Sequence, residues 1–204
     1  AMLDVRGILE GGHQFSAAIR PEPGQPRRLL ADTTDAGALY KLVGFYPNAV
    51  GGVMNLEVNL DGEGVAERTG TLLTRDFVIL GDPVLSEVLQ NADGSTTPQT
   101  GRRKVVREKF EFDRLRIPFS IGHGQFVMHS GYINGPLIGA TMRGKVDFRA
   151  QQLEIGGTYI PLSGLNRALA PIPFFGPILT GPRGEGVLGI TFVIQGSMSN
   201  PQVL

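Results

Sequence analysis

Three histidines, His13, His123 and His129, are the side chains in this sequence best suited to holding a metal or moving a proton, and there is no cysteine. His123 and His129 lie six positions apart in or beside a strand-like segment. At about 3.3 Å per residue they are separated by about 20 Å, well beyond the ~2 Å reach of ligands to one ion. His13 stands alone. The simpler reading is three solvated or turn histidines, and no metal site is expected. Gly184-Glu185-Gly186-Val187-Leu188-Gly189 matches the G-x-G-x-x-G pattern of dinucleotide-binding turns. That chemistry needs a strand before the glycines and a helix after them, so that the helix N-terminus faces the pyrophosphate. Here an apolar, helix-like segment comes first and a strand pattern follows, so the glycines read as a turn.

No nucleophile elbow, zinc-protease helix, phosphate loop or acidic calcium loop occurs. The carboxylates are scattered, with no pair that spacing alone brings together for acid–base work. The chain therefore reads as a non-enzyme without a cofactor. Its one basic cluster is Arg102-Arg103-Lys104 with Arg107 and Lys109. A solvated loop explains it. The alternative is contact with anionic lipid head groups, where each basic residue contributes about 1 kcal/mol.

Lys+Arg and Asp+Glu both number 19, and this zero net charge argues against nucleic acid as a partner. A chain of 204 residues can bury one sizeable core, and 1–204 is read as a single domain. The 29 glycines fall at turn spacing between alternating segments, which points to β-structure. Absence of cysteine excludes a disulfide scaffold or thiolate metal site and fits a secreted or periplasmic protein. No run of about 18 apolar residues is present to span a membrane as a helix. Ala1-Met2 runs straight into a strand-like segment and the chain stops soon after Asn200-Pro201, so it is expected to be a piece of something longer.

Taken in order, Leu3–Glu10 and His13–Arg20 read as strands joined at Gly11-Gly12, with Phe15, Ala17 and Ile19 on one face. Pro21–Pro26 reads as a loop. Asp32-Thr33-Thr34-Asp35 supplies N-cap residues for a helix of about ten residues, with Leu39, Leu42 and Val43 as its apolar side and Gly44 as its stop. Gly51-Gly52 turns into an alternating strand that ends at Asp61-Gly62. Glu67–Leu80 is another strand. Asp82-Pro83 starts a second helix, with Val84, Leu85, Val88 and Leu89 on one stripe, and Asn91–Glu108 reads as a mobile loop. From Phe110 the pattern is a meander: Phe110–Ile121, Gln125–Ser130, Leu137–Phe148, Leu153–Ile160 and Val187–Gln195. Strands of about ten residues reach about 33 Å, enough for one wall of a lipid-sized trough.

Gly144–Gln195 organises the rest. Two strand patterns, a turn near Arg149–Gln152, an apolar proline-interrupted segment at Leu162–Thr180 and a last strand imply a sheet with an element at its end. In that element Leu165, Leu169, Ile172, Phe174, Phe175, Ile178 and Leu179 face only one charge, Arg167. It reads as a core helix, as an amphipathic cap on the sheet, or as a contact for a membrane or an envelope protein. The strands themselves present apolar faces: Met54, Leu56, Val58 and Leu60; Phe126 and Met128; Met142, Val146 and Phe148; Leu153, Ile155 and Tyr159; Leu188, Ile190, Phe192 and Ile194. About three short helices are too few to cover a sheet of eight or more strands, so part of this face is expected to be bare and to bind flexible apolar chains.

Gly144, Val146, Asp147, Leu153, Gly157-Thr158-Tyr159, Pro161, Gly164-Leu165-Asn166, Ile172-Pro173, Gly176-Pro177-Ile178-Leu179 and Gly184–Gly186 together resemble the C-terminal region of AsmA-like proteins of Gram-negative bacteria. Upstream, Asp35-Ala36-Gly37-Ala38-Leu39, Gly51-Gly52 and Phe112-Asp113-Arg114-Leu115 extend the resemblance over most of the chain. At Asn91–Glu108 the sequence departs from the family, which is usually more apolar there. The resemblance implies a curved antiparallel open sheet, a groove or incomplete barrel, with few short helices and a cap near the C-terminus. It further implies a periplasmic body tethered to the inner membrane by an N-terminal anchor outside this sequence. Similarity to bridge-like lipid transfer proteins implies phospholipid acyl chains as ligand and transport between inner and outer membranes. A β-module binding a protein partner in envelope assembly is the alternative.

Overall fold

The computed structural model of the chain describes residues 2–21, 24, 26–61, 67–82, 85, 109–136, 138–161 and 190–203. Its strands are β1 (Leu3–Ile8), β2 (Gln14–Arg20), β3 (Arg28–Thr33), β4 (Ala49–Asn59), β5 (Arg68–Leu80) and β6 (Lys109–Gly122). They continue as β7 (Gln125–Asn134), β8 (Ile138–Asp147), β9 (Gln152–Pro161), β10 (Ile190–Ser197) and β11 (Asn200–Val203). All eleven form one open antiparallel sheet in strict sequence order. The mainly-β, antiparallel expectation is met. β3 and β11 are additional to it, and β7 runs beyond Ser130.

The α-helix among the described residues is α1 (Ala36–Leu42), between β3 and β4. The cap expected at Leu162–Thr180 falls outside the described residues and finds no support, and the basic cluster other than Lys109, the glycine turn at 184–189 and the loop 91–108 fall outside them too. Asp35 caps α1 as expected, its Oδ1 accepting the Ala38 N–H at 2.9 Å. Of its expected apolar side, Leu39 packs against the core but Leu42 and Val43 do not. Ala36, Gly37 and Tyr40 are buried, whereas Leu42 and Val43 are 72% and 64% exposed. Size explains this: a Cβ on Gly37 would lie 2.5 Å from the Ala49 carbonyl oxygen, so the helix backbone meets β4 through its smallest side chains. A seven-residue helix has too few turns to bury Leu42 and Val43 as well.

Tyr40 is held by a hydrogen bond between its hydroxyl and that of Thr74, both side chains being buried. Burial pushes the Tyr40 phenol up to about 12, while the bond to Thr74 pulls it the other way. Thr74→Val leaves the phenol without this partner and should destabilise the fold by about 1–3 kcal/mol, read as a lower urea midpoint. Adding Tyr40→Phe should recover most of the loss. An unchanged midpoint in Thr74→Val would mean that another group satisfies the hydroxyl.

β4 and β5 each turn over where they cross a common line. On β5, Leu72 and Thr74 are buried, then Phe77 and Ile79, so the buried parity switches between them. β4 switches likewise between Ala49 and Met54, and the register is the same on both sides. The cause is local. Gly51, Gly52 and Asp76 have positive φ (67°, 87° and 55°), which re-aims the following side chains. A Cβ on Gly52 would stand 2.7 Å from that of Phe77. On β7 an extra residue at His129–Ser130 shifts the register against both neighbours, a bulge that keeps Met128 and Ile133 on one side. Pro118 of β6, which has no N–H, falls where this ladder is already interrupted.

Two buried clusters result. One joins Ala31, Met54, Val58, Leu72, Ile117, Phe119 and Met128 to Ala36 and Tyr40 of α1. The other holds Phe77, Ile79, Phe110, Phe112, Ile138 and Tyr159. At the far end of β4, Asp61 accepts the Arg27 N–H at 2.7 Å and its guanidinium Nε at 2.9 Å. These bonds hold the Asp61 carboxyl down at about 2. Asp82 is buried and its Oδ1 accepts the Leu85 N–H at 2.8 Å, while the helix expected from Asp82-Pro83 lies, apart from Leu85, outside the described residues. Tyr46 donates to the same carboxylate, and burial pushes the Tyr46 phenol above its ordinary value, followed by that bond.

Candidate functional site on the apolar face of the sheet

Antiparallel partners present their side chains on the same face, so the register tells which of the nominated residues meet. Leu56 stands between Ala31 and Leu72, and Val58 between Leu29 and Gly70. Met128 stands between Phe119 and Gly144, and Phe126 between Ile121 and Val146. Val146 pairs with Leu153, Ile155 with Ile194, and Phe192 with Gly157. Apolar residues picked from separate strands therefore make one continuous face from β4 to β10. Phe15, Ala17, Leu29, Leu72, Ile117 and Phe119 join it from strands not nominated. Alternation was the only available signal for these, and it could not say which strand lay beside which.

The face is not uniform. Met54, Val58 and Met128 are buried in the cluster under α1. Leu56, Leu60, Phe126 and Met142 are half-buried and pack against that cluster. Among the described residues, Val146, Leu153, Ile155 and Ile194 are half-buried and belong to neither cluster. Leu60 lies just past the end of β4. Phe148 lies one residue past β8, which ends at Asp147, whose Oδ1 accepts the N–H groups of Arg149 and Ala150; it enters the turn and is 44% exposed. Ile190 opens β10 in register with Tyr159, and Leu188 lies outside the described residues, as do Leu165, Leu169, Ile172, Phe174, Phe175, Ile178 and Leu179.

Aromatic rings lie across glycines on this face. A Cβ on Gly70 would be 2.6 Å from the Phe119 ring, and one on Gly157 would be 2.5 Å from the Phe192 ring. Phe119 also stacks on Phe126 with centroids 5.0 Å apart. Flat rings over bare backbone make a smooth surface rather than a row of ridges.

The opposite face is mainly polar, though Leu30, Val53, Val127 and Val193 also lie on it. Asn55 donates to Asp32 at 2.7 Å, Arg28 pairs with Glu57 at 3.0 Å and Lys145 with Glu154 at 3.6 Å. Exposed pairs of this kind stabilise by at most about 1 kcal/mol, so they mark the wet side rather than hold the sheet together. Two open depressions border the sheet, one lined by Lys145, Asp147, Leu153, Glu154, Gln195 and Gln202, the other by Arg6, Ile8, Gln14, Phe15, Ser16 and Asp32.

Among the described residues no three His, Asp or Glu side chains come together as metal ligands. His13 is not alone, since its Nε2 lies 3.6 Å from Asp35 Oδ2. His123 sits in the turn after β6 with φ 52°, and His129 is exposed at the bulge. What the arrangement can do is hold apolar material on one side of a sheet whose other side is wet. No family model, curated protein or solved structure matches the chain, so its nature rests on this geometry.

Proposed function

We propose that this chain is a non-enzymatic lipid-binding module whose apolar sheet face carries phospholipid acyl chains, as part of transport between the inner and outer membranes. The observation that supports it is the two-sidedness of the sheet, apolar across at least seven strands and mainly polar behind. The half-buried patch of Val146, Leu153, Ile155 and Ile194 adds to it, since it belongs to neither cluster. Eleven strands at about 4.8 Å spacing span about 48 Å, wide enough for several acyl chains side by side. The right-handed twist of so many strands would curve the sheet into a trough. Each CH₂ moved from water onto the face gains about 0.8 kcal/mol. Neighbouring positions on a smooth floor are nearly equal in energy, so a lipid can slide without chemistry by the protein.

The resemblance to AsmA-like proteins supports the same reading, and with it we propose a periplasmic location with an inner-membrane tether. Lipid extraction and mass spectrometry of the purified protein should find phospholipid, or find it after incubation with phospholipid vesicles. A protein that stays lipid-free in both arms overturns the reading. Specific capture of one envelope protein by the lipid-free chain would then favour the assembly-module reading.

A further inference from the structure

Three arginines stand together on the wet side of two central strands. Arg75 of β5 lies directly opposite Arg114 of β6, and Arg116 follows two residues on. All three are exposed. Directly opposed residues have Cβ atoms about 5 Å apart, and alternate residues of one strand lie about 7 Å apart on the same face. The three guanidinium groups can therefore converge over one point. Among the described residues no ion pair ties any of them to a carboxylate. Elsewhere on this face Arg28 meets Glu57 and Lys145 meets Glu154. Arg75 is steadied instead by a neutral partner: its Nη2 donates to Asn55 Oδ1 at 3.4 Å, while Asn55 donates to Asp32 at 2.7 Å. Like charges placed directly opposite each other cost stability, so this arrangement calls for an anion from outside the chain.

We propose that Arg75, Arg114 and Arg116 form a binding site for a phosphate group. A guanidinium presents its N–H donors as a planar fork that fits two phosphate oxygens, and such charge-assisted bonds are about twice as strong as neutral ones. A phosphate set between Arg75 and Arg114 accepts from both and replaces their repulsion by attraction, with Arg116 reaching a third oxygen. Asn134, directly opposite Arg114 on β7, adds a neutral amide on the next strand. Asp76 and Asp113 are exposed and next in sequence to Arg75 and Arg114. Their negative charge borders the patch, so it suits one small anionic group rather than a long polyanion. The phosphate can belong to a soluble ester or to a phospholipid head group, since the recognition is the same. The site lies on the side of the sheet away from the acyl-chain face and does not rest on that reading.

The test is an NMR titration of the lipid-free protein with sodium phosphate, read at the arginine Nε–H and backbone amide signals, with sodium chloride at matched ionic strength as reference. Wild type should show saturable shifts centred on the three arginines, with a Kd in the millimolar range of an exposed site. Arg114→Gln should weaken binding about tenfold, and Arg114→Lys should recover only part of it, because an ammonium lacks the fork. Asp113→Asn should tighten binding about twofold. Arg28→Gln removes an arginine already paired with Glu57 and should leave binding unchanged. These side chains are exposed, so circular dichroism should show every variant folded. Stronger cosedimentation of wild type than of Arg114→Gln with phosphatidylglycerol vesicles assigns the phosphate to a lipid head group. Equal cosedimentation, with the phosphate titration still saturable, assigns it to a soluble ester. Shifts that do not saturate, shifts reproduced by chloride, or wild-type phosphate affinity in folded Arg114→Gln overturn the inference. None of these outcomes depends on whether acyl chains bind the other face.

Discussion

Ile155→Glu should lower phospholipid loading about 100-fold in a protein that remains folded. Ile155 stands on β9 between Gly144 and Ile194, half-buried and outside both clusters. Without lipid a carboxylate there still reaches water, so the fold should lose only about 1–2 kcal/mol. With an acyl chain laid over it, the same carboxylate must give up its hydration with no cation opposite, at a cost of several kcal/mol. About 3 kcal/mol of that falling on binding corresponds to the 100-fold loss. Thr191→Glu, exposed on the polar side of β10, should leave loading unchanged. Leu153→Gln serves as a milder second probe of the patch. Loading within twofold of wild type in folded Ile155→Glu and Leu153→Gln would mean that acyl chains lie elsewhere or do not bind.

Gly157→Ala should cost about 3 kcal/mol, roughly 10 °C in Tm, while Gly156→Ala next to it should change stability by less than about 0.5 kcal/mol. The contrast comes from the two sides of the sheet. On the apolar side a Cβ at 157 would stand 2.2 Å from the Thr141 carbonyl oxygen and 2.5 Å from the Phe192 ring. The ring can swing, but the carbonyl belongs to β8, so β8 and β9 must separate. On the polar side a Cβ at 156 meets only the Phe192 carbonyl oxygen at 3.8 Å, an ordinary contact. Phe192→Leu in the Gly157→Ala background should recover only part of the loss, because the carbonyl contact remains. Equal thermal midpoints for the two alanine variants would show that β8–β9 spacing tolerates the methyl group.

Much of the sheet was legible because its strands alternate cleanly and its turns carry glycine. Met54 to Leu60 announces β4, and Val146 and Leu153 fall either side of a turn whose Asp147 ties it down. The misses have local causes. β3 was hidden because a proline loop and a run of N-cap residues leave only Leu29-Leu30-Ala31 between them. β7 was cut short at Ser130 because the bulge at His129–Ser130 breaks the alternation. The packed side of α1 was read correctly only at Leu39, because hydrophobicity favours Leu42 and Val43, whereas backbone approach favours Gly37. At the candidate site the members of the face were largely readable, but not their depth. Met54 and Ile155 look alike as alternating apolar residues, and only packing separates the sealed one from the half-open one.

Because every described strand after β1 lies beside the one made just before it, none of these strands has to be threaded between two others. Each hairpin can settle as soon as its second strand exists, using its predecessor as a mould, and the sheet can widen from either border by about 9–10 Å per added pair of strands. Such a chain can be lengthened or trimmed by whole hairpins without redrawing the connections that remain.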